Sequence, residues 1–322
     1  MASRSGVDIK TTIYNTFKGV DFSTDPCLVD RRRSPLCTNM VADSGGMPEK
    51  RCGWRTLHKV GGGAVHGMWT ARFGEAQKSV AHIGTKLYSW DETEAAPVEL
   101  MTGLHDGRSQ GVLLGGKLWI VTGGEMLRYD GTTVTDITAS DDVYVPVTVI
   151  ARKPAGGGEP YEDINLLGRY RENRFLADGT STVYQLDGVI DAEGDVRVWV
   201  NGEEITSGWT ADRTAGNVTF GTAPEAPAAG QEDNVRIQYP HTVSGYADRI
   251  KKCTIITAYG INATNRIVLS GNPEHPNLDW TSAVNDPTYI PDLSYSAVGL
   301  EGVRIMGYCR IGEYLGIVKE EN

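Results

Sequence analysis

Gly84-Thr85-Lys86-Leu87-Tyr88-Ser89-Trp90-Asp91 returns 40 residues later as Gly124-Glu125-Met126-Leu127-Arg128-Tyr129-Asp130. Each copy is a short apolar run opened by glycine and closed by an aromatic-Asp pair, the pattern of a strand held between tight turns. A second echo pairs Gly115-Gly116-Lys117-Leu118-Trp119-Ile120-Val121 with Ile311-Gly312-Glu313-Tyr314-Leu315-Gly316-Ile317-Val318, with Gly, Leu, Ile and Val at matching offsets. A period of roughly 40 to 45 residues, with strands joined by tight turns, is what propeller blades produce. One four-stranded blade cannot cover both of its faces, so it needs neighbours. Trp69, Trp90, Trp119 and Tyr129 are therefore expected to pack within and between blades rather than to line a ligand site.

The repeat is interrupted in the middle. Val196, Val198 and Val200 alternate with Arg197 and Trp199, Asn201-Gly202 supplies a hairpin turn, and Val235, Ile237 and Tyr239 alternate again. Val218 and Phe220 lead into an Ala/Pro/Gly-rich stretch at 221–230. The sequence thus predicts a small antiparallel β domain inserted over 163–242, with Lys153-Pro154-Ala155-Gly156-Gly157-Gly158 as a flexible lead-in. Propeller-like blades occupy 61–162 and 243–322, the last of them expected to continue beyond residue 322. The fold class is all-β, a partial or complete β-propeller-like body preceded by an extended arm over 1–60.

That arm has no sustained apolar period, and Pro26, Pro35 and Pro48 break any longer element. It nonetheless carries Phe17, Val20, Phe22, Leu28, Val29, Leu36, Met40 and Trp54, too much apolar surface for a solvated tail. Such a segment is expected to lie on its own body or on a neighbouring subunit. Phe17, Val20, Phe22, Leu28, Met40 and Trp54, with the basic triplet Arg31-Arg32-Arg33, are the candidate subunit contacts.

Two phrases resemble a known family. Phe17, Gly19-Val20-Asp21, Asp30, Ser34-Pro35, Asn39-Met40 and a Gly-rich turn into Lys50-Arg51, Gly53 and Trp54 form the first. Tyr259-Gly260, Arg266-Ile267-Val268-Leu269-Ser270-Gly271-Asn272-Pro273, Asn277, Asp279-Trp280, Ser282, Asp286-Pro287, Tyr289 and Pro291 form the second. Together they resemble virion proteins of tailed bacteriophages, tail or neck components in which an N-terminal arm precedes a β-propeller-like body. Asp212-Arg213-Thr214-Ala215-Gly216-Asn217-Val218-Thr219-Phe220 with Ala223-Pro224 resembles a short β module recurrent in phage tail proteins. The resemblance implies a structural role at a tail, neck or nozzle. It also implies a homo-oligomeric ring through which DNA passes without sequence-specific binding, other phage structural proteins as partners, synthesis in the host cytoplasm and a final place in the virion.

Composition fits such a role. The 322 residues carry 31 Lys+Arg against 41 Asp+Glu, a net charge of −10 that opposes nucleic-acid wrapping. An acidic lumen would suit a DNA conduit, since an attractive one would retard the genome. Mean hydropathy is −0.30, and no run approaches the roughly 18 apolar residues of a membrane span. The N-terminus MASRSGVDIK lacks an apolar signal core. Cys27, Cys37, Cys52, Cys253 and Cys309 form no C-x-x-C pair and are expected as reduced thiols.

No catalytic, cofactor or metal site is expected. Gly107-Arg108-Ser109-Gln110-Gly111 matches the G-x-S-x-G nucleophile elbow, but the strand-like Lys117–Val121 follows where a helix should. Gly61-Gly62-Gly63-Ala64-Val65-His66-Gly67 has neither the glycine spacing nor the Lys-Ser/Thr of a phosphate loop and is expected as a hinge. The acidic clusters at 91–94, 141–142 and 191–195 lack the ligand spacing of a calcium loop. The six histidines, His105 among them, are scattered. The alternative function is a carbohydrate-directed propeller, lectin or glycoside hydrolase, which needs an Asp/Glu pair across a pocket; no motif selects one.

Overall fold

The computed structural model describes residues 10–13, 15–56, 58–91, 94, 96–228 and 233–321. Glu92 and Thr93 of the first acidic cluster, and the end of the Ala/Pro/Gly-rich stretch, lie outside them. The chain is all-β, and it divides into two compact units, Met1–Lys59 and Val60–Asn322.

The first unit is held by turns rather than by a core. Asp21 accepts from the amides of Ser23 and Thr24, Asp25 from Cys27, Asp30 from Arg32, and Asp43 from Gly45 and Met47. Each is an aspartate folding its own downstream backbone. The segment expected to be extended consequently turns back on itself: Phe17 N donates to Gly46 O, and Val20 bridges Ser34. A hairpin of β1 (Met40–Ala42) and β2 (Pro48–Lys50) closes the unit.

The second unit opens with two antiparallel four-stranded meanders. The first runs β3 (Val65–Phe73), β4 (Ala76–Ile83), β5 (Lys86–Trp90) and β6 (Val98–Thr102). The second runs β7 (Gln110–Leu114), β8 (Lys117–Val121), β9 (Met126–Tyr129) and β10 (Val134–Asp136). The repeated Leu87 and Leu127 phrases are thus the third strands of consecutive sheets. Val80, Leu87, Leu118, Ile120, Leu127 and Tyr129 share a buried cluster, with Trp69 and Phe73 against it. Each sheet has an apolar face because its strands alternate, and the neighbouring sheet covers it.

The stretch expected as an inserted domain forms two sheets. Its strands are β11 (Val147–Arg152), β12 (Glu159–Pro160), β13 (Tyr170–Phe175), β14 (Val183–Gln185), β15 (Arg197–Val200), β16 (Glu203–Ile205), β17 (Trp209–Asp212), β18 (Asn217–Phe220) and β19 (Val235–Pro240). Six form a sheet of order β12-β11-β13-β19-β15-β16 and three a sheet of order β14-β18-β17. Phe175, Tyr184, Val198, Val218, Phe220, Val235, Ile237 and Tyr239 fill the space between them. The expected Asn201-Gly202 turn is present, both residues at positive φ between β15 and β16.

Three expectations for this domain are corrected. The sheet starts at Val147, before residue 163. Residues 153–158 are not a flexible lead-in, for Lys153 bridges Gly156 and Arg152 Nη1 donates to Gly157 O at 2.6 Å. Nor is the domain wholly antiparallel, because β11 pairs parallel with β13. The long connection between them, which sends Leu166 and Leu167 into a neighbouring core, is the crossover that a parallel pair requires.

Gly216 sits at φ 65 in the turn joining β17 to β18, and a Cβ there would lie 2.3 Å from Gly188 O. Gly216→Ala is expected to destabilise the protein by about 2 kcal/mol, read as a lowered urea midpoint at unchanged slope.

After the insertion comes a short helix, α1 (Tyr246–Lys251), which the sequence reading did not anticipate. A third meander follows, β20 (Ile255–Tyr259), β21 (Arg266–Ser270), β22 (Leu278–Thr281) and β23 (Tyr295–Ala297), then a hairpin of β24 (Ile305–Ile311) and β25 (Tyr314–Lys319). Trp119, Met126, Ile256, Ile267, Leu269 and Trp280 form the core between the second and third meanders, with Ile250 of α1. First strands are neighbours throughout: β3 beside β7, β7 beside β20, and β20 beside β24. Gln110 Oε1 of β7 accepts from the Ile256 amide at 3.3 Å.

Candidate functional site

The candidate contacts of the first unit are arranged with their apolar groups outward. Phe22 is 83% exposed, Leu28 77% and Trp54 80%, with Leu36 equally open and Met40 and Val41 partly so. Phe17 and Val20 are half-buried, anchored through backbone bonds. Polar turns therefore fix the backbone while the large apolar side chains remain available. Apolar groups facing water add little to the unit's own stability.

The basic triplet divides. Arg32 Nε and Nη2 donate to the two Asp30 oxygens at 3.1 and 2.8 Å. The side-chain hydrogen bond from Arg32, with that from its amide, holds the Asp30 carboxyl well below the usual carboxylate value. Arg31 and Arg33 are exposed, and among the described residues neither side chain is tied to a partner. The charge asymmetry extends to the whole unit. Residues 1–59 carry 10 Lys/Arg against 6 Asp/Glu, whereas residues 60–322 carry 21 against 35. A cationic, apolar surface thus belongs to a chain whose larger part is strongly anionic.

Cys27 and Cys52 are exposed, Cys37 is half-buried, and all are free thiols, as are Cys253 and Cys309. Burial pushes the Cys253 thiol far up, so it stays protonated in the core.

Ser109 occupies a different kind of place from a nucleophile. It is 5% exposed on the approach to β7, with no helix following. Its Oγ shares a 3.0 Å hydrogen bond with His82 Nδ1. The other His82 nitrogen has no partner, so no carboxylate orients the imidazole as a triad requires. The motif's glycines serve packing: a Cβ on Gly111 would lie 3.0 Å from the Trp69 indole, and one on Gly107 2.8 Å from His105. In the Gly61–Gly67 run, Gly63 backs onto Gly84, where a Cβ would approach the facing backbone to 3.0 Å.

His82 nevertheless carries a measurable property. It is fully buried, its ring 5.1 Å from that of His66, whose Nε2 contacts Asp106. Burial, then the neighbouring His66 charge, lowers its pKa below the ordinary 6.5. The folded state therefore keeps His82 neutral where the unfolded chain protonates it. Stability is expected to fall as pH drops below 6.5, by at most about 1.4 kcal/mol per pH unit from this group. Urea midpoints between pH 7.5 and 5 check this, and His82→Asn should flatten the slope.

The acidic clusters are absorbed by ion pairs and turns. Asp141 receives both Arg169 donors at 3.1 and 3.0 Å, Asp142 pairs with Arg128, and Asp191 accepts from Thr242. Among the described residues no group of three His, Cys, Asp or Glu could hold a metal, and no helix is long and apolar enough to cross a membrane.

The second phrase of the resemblance is architectural. Asn272 Nδ2 donates to Arg249 O at 2.9 Å and closes the end of α1. Trp280 is buried in the core, and Ser282 Oγ accepts from the Ile267 amide at 3.1 Å. The sequence does not single out Asn165, whose side chain makes four hydrogen bonds, two of them to Thr288 and Ile290 and two to Tyr144 and Leu167. Its signal, an asparagine before a Leu-Leu pair, is too common to single out. No protein-family model matches the chain, and no curated protein matches it.

Proposed function

We propose that this chain is a structural subunit of a tailed-phage particle, building a ring at the tail, neck or nozzle through which DNA passes. In this reading the three meanders and the terminal hairpin are consecutive blades of a propeller-like wall, and the N-terminal unit grips the neighbouring subunit. The observation that carries the proposal is the N-terminal surface, with Phe22, Leu28 and Trp54 exposed on a backbone already fixed by aspartate turns. Preformed apolar anchors of this kind bind with little ordering cost, which favours permanent assembly. The successive adjacency of first strands supports the wall. The phage assignment itself rests on the two sequence phrases.

The carbohydrate-directed reading has less behind it. Glycoside hydrolysis needs two carboxyl groups across one cavity. Of the three cavities described, one is lined by Asp141, one by Asp279 and one by no carboxylate.

Analytical ultracentrifugation of the full chain tests the proposal against that alternative. The expected result is a discrete homo-oligomer that neither binds nor cleaves cell-envelope glycans. A monomer with saturable glycan binding would replace the structural reading with the second one.

A further inference from the structure

The first strands β7, β20 and β24, neighbours in that order, begin around one cavity of about 350 Å³. Arg108 and Gln110 reach it from the start of β7, Ile255 from that of β20, and Arg304 and Met306 from that of β24. Pro273, between β21 and β22, closes another side. All of these walls belong to the second unit, and the volume falls within the range of small-molecule sites.

The chemistry of the cavity is one-sided. No carboxylate lines it, in a unit where acidic residues outnumber basic ones 35 to 21. The side-chain carbonyls at its wall are already taken: Gln110 Oε1 accepts from the Ile256 amide at 3.3 Å and Asn272 Oδ1 from the Glu274 amide at 2.9 Å. The Gln110 NH2 group is left to donate. Arg108, inside the G-x-S-x-G stretch that makes no nucleophile, is exposed, and among the described residues its guanidinium has no hydrogen-bond or ion-pair partner. Arg304 Nε lies 3.7 Å from Glu320, the two side chains being 68% and 49% exposed. So open a pair contributes little, and a better-placed oxyanion can displace it. Ile255, Pro273 and Met306 add an apolar wall beside these donors.

We propose that this cavity binds a small organic anion, a carboxylate or phosphate monoester whose oxyanion sits between Arg108 and Arg304 and whose apolar body lies on Ile255, Pro273 and Met306. A guanidinium fork matches either oxyanion with paired hydrogen bonds. Two forks and an amide donor offset the desolvation of one charge, and the apolar wall favours an anion that carries a hydrocarbon group over a bare, strongly hydrated one. The site lies within one chain and does not depend on the ring.

Calorimetric titration of the full chain with phenyl phosphate, benzoate, inorganic phosphate and benzyl alcohol tests this. Phenyl phosphate or benzoate is expected to saturate one site per chain, at least about tenfold more tightly than inorganic phosphate or benzyl alcohol, each of which supplies only half of the ligand. The tighter of the two organic anions identifies the oxyanion. Arg108→Gln and Arg304→Gln should each weaken that binding at least about tenfold. Both positions are exposed, so the urea midpoints of the variants are expected to stay in place. On the unaltered chain, the bound anion should slow phenylglyoxal modification of Arg108, read by mass spectrometry, at least about threefold. Failure of both organic anions to saturate, equal affinity for inorganic and phenyl phosphate, binding that survives the arginine substitutions, or undiminished modification of Arg108 overturns the proposal. None of these outcomes touches the ring, and anion binding by a monomer would leave this proposal standing while the ring falls.

Discussion

Replacing Phe22, Leu28, Leu36 and Trp54 together by serine is expected to abolish self-association while leaving the unfolding transition of residues 60–322 in place. All four are exposed apolar groups, so truncating them removes nothing from a core. The turns that shape the unit are made by Asp21, Asp25, Asp30 and Asp43, which the variant keeps. Interface anchors of this type cost about 2 kcal/mol or more each on truncation. Even half that sum exceeds about 4 kcal/mol, close to a thousandfold in the association constant. Sedimentation velocity and urea unfolding of the same samples provide the check. An unchanged oligomer would remove this surface from the assembly, and a collapsed unfolding midpoint would place the four residues in the protein's own core.

Asn165→Ala is expected to destabilise the second unit by about 3–5 kcal/mol, near the upper end for single substitutions. Asn165 is 1% exposed and uses all its hydrogen-bonding capacity. Its Nδ2 donates to Tyr144 O at 2.9 Å and Thr288 O at 2.8 Å, and its Oδ1 accepts from the amides of Leu167 and Ile290, each at 3.1 Å. Alanine would leave two carbonyls and two amides without their partner at a buried site. Leu166 and Leu167, which the side chain positions, belong to the core between the second and third meanders. Asn165→Asp should fare little better, because a carboxylate cannot donate to the two carbonyls. Chemical denaturation monitored by far-UV dichroism measures both, and a loss under about 1 kcal/mol would show that backbone packing, not this side chain, holds the junction.

The repeats were legible because strands at the same place in a sheet face the same demands. β5 and β9 are both third strands, and β8 and β25 both second strands, so each pair shares its glycine turns and apolar spacing. Strands β15 and β19 were legible from their alternation, which a half-buried strand imposes. The start of the expected insertion was misplaced because the glycines at 156–158 look like a linker until Arg152 is seen to fold over them. The parallel pairing of β11 with β13 depends on nonlocal contacts, which no local pattern records. α1 was missed because six residues are too few to establish a helical period.

At the candidate site, residue types alone picked out Phe22, Leu28 and Trp54, which the structure leaves exposed. The fold-back of that unit was also written in the sequence, as aspartates at 21, 25, 30 and 43 each bonding to a backbone amide two residues on. Periodicity does not register such a signal, because each turn is local and none repeats at a fixed spacing. In the G-x-S-x-G match, the glycines at 107 and 111 lie where a Cβ would meet His105 and Trp69, a packing demand that a spacing pattern does not register.

Electron-microscopic imaging of the purified, assembled chain tests the central claim most directly. The account predicts rings of uniform size with an axial opening, in which each N-terminal unit lies on an adjacent subunit. Well-folded single particles at concentrations where the exposed anchors should associate, or aggregates without rotational symmetry, would contradict it.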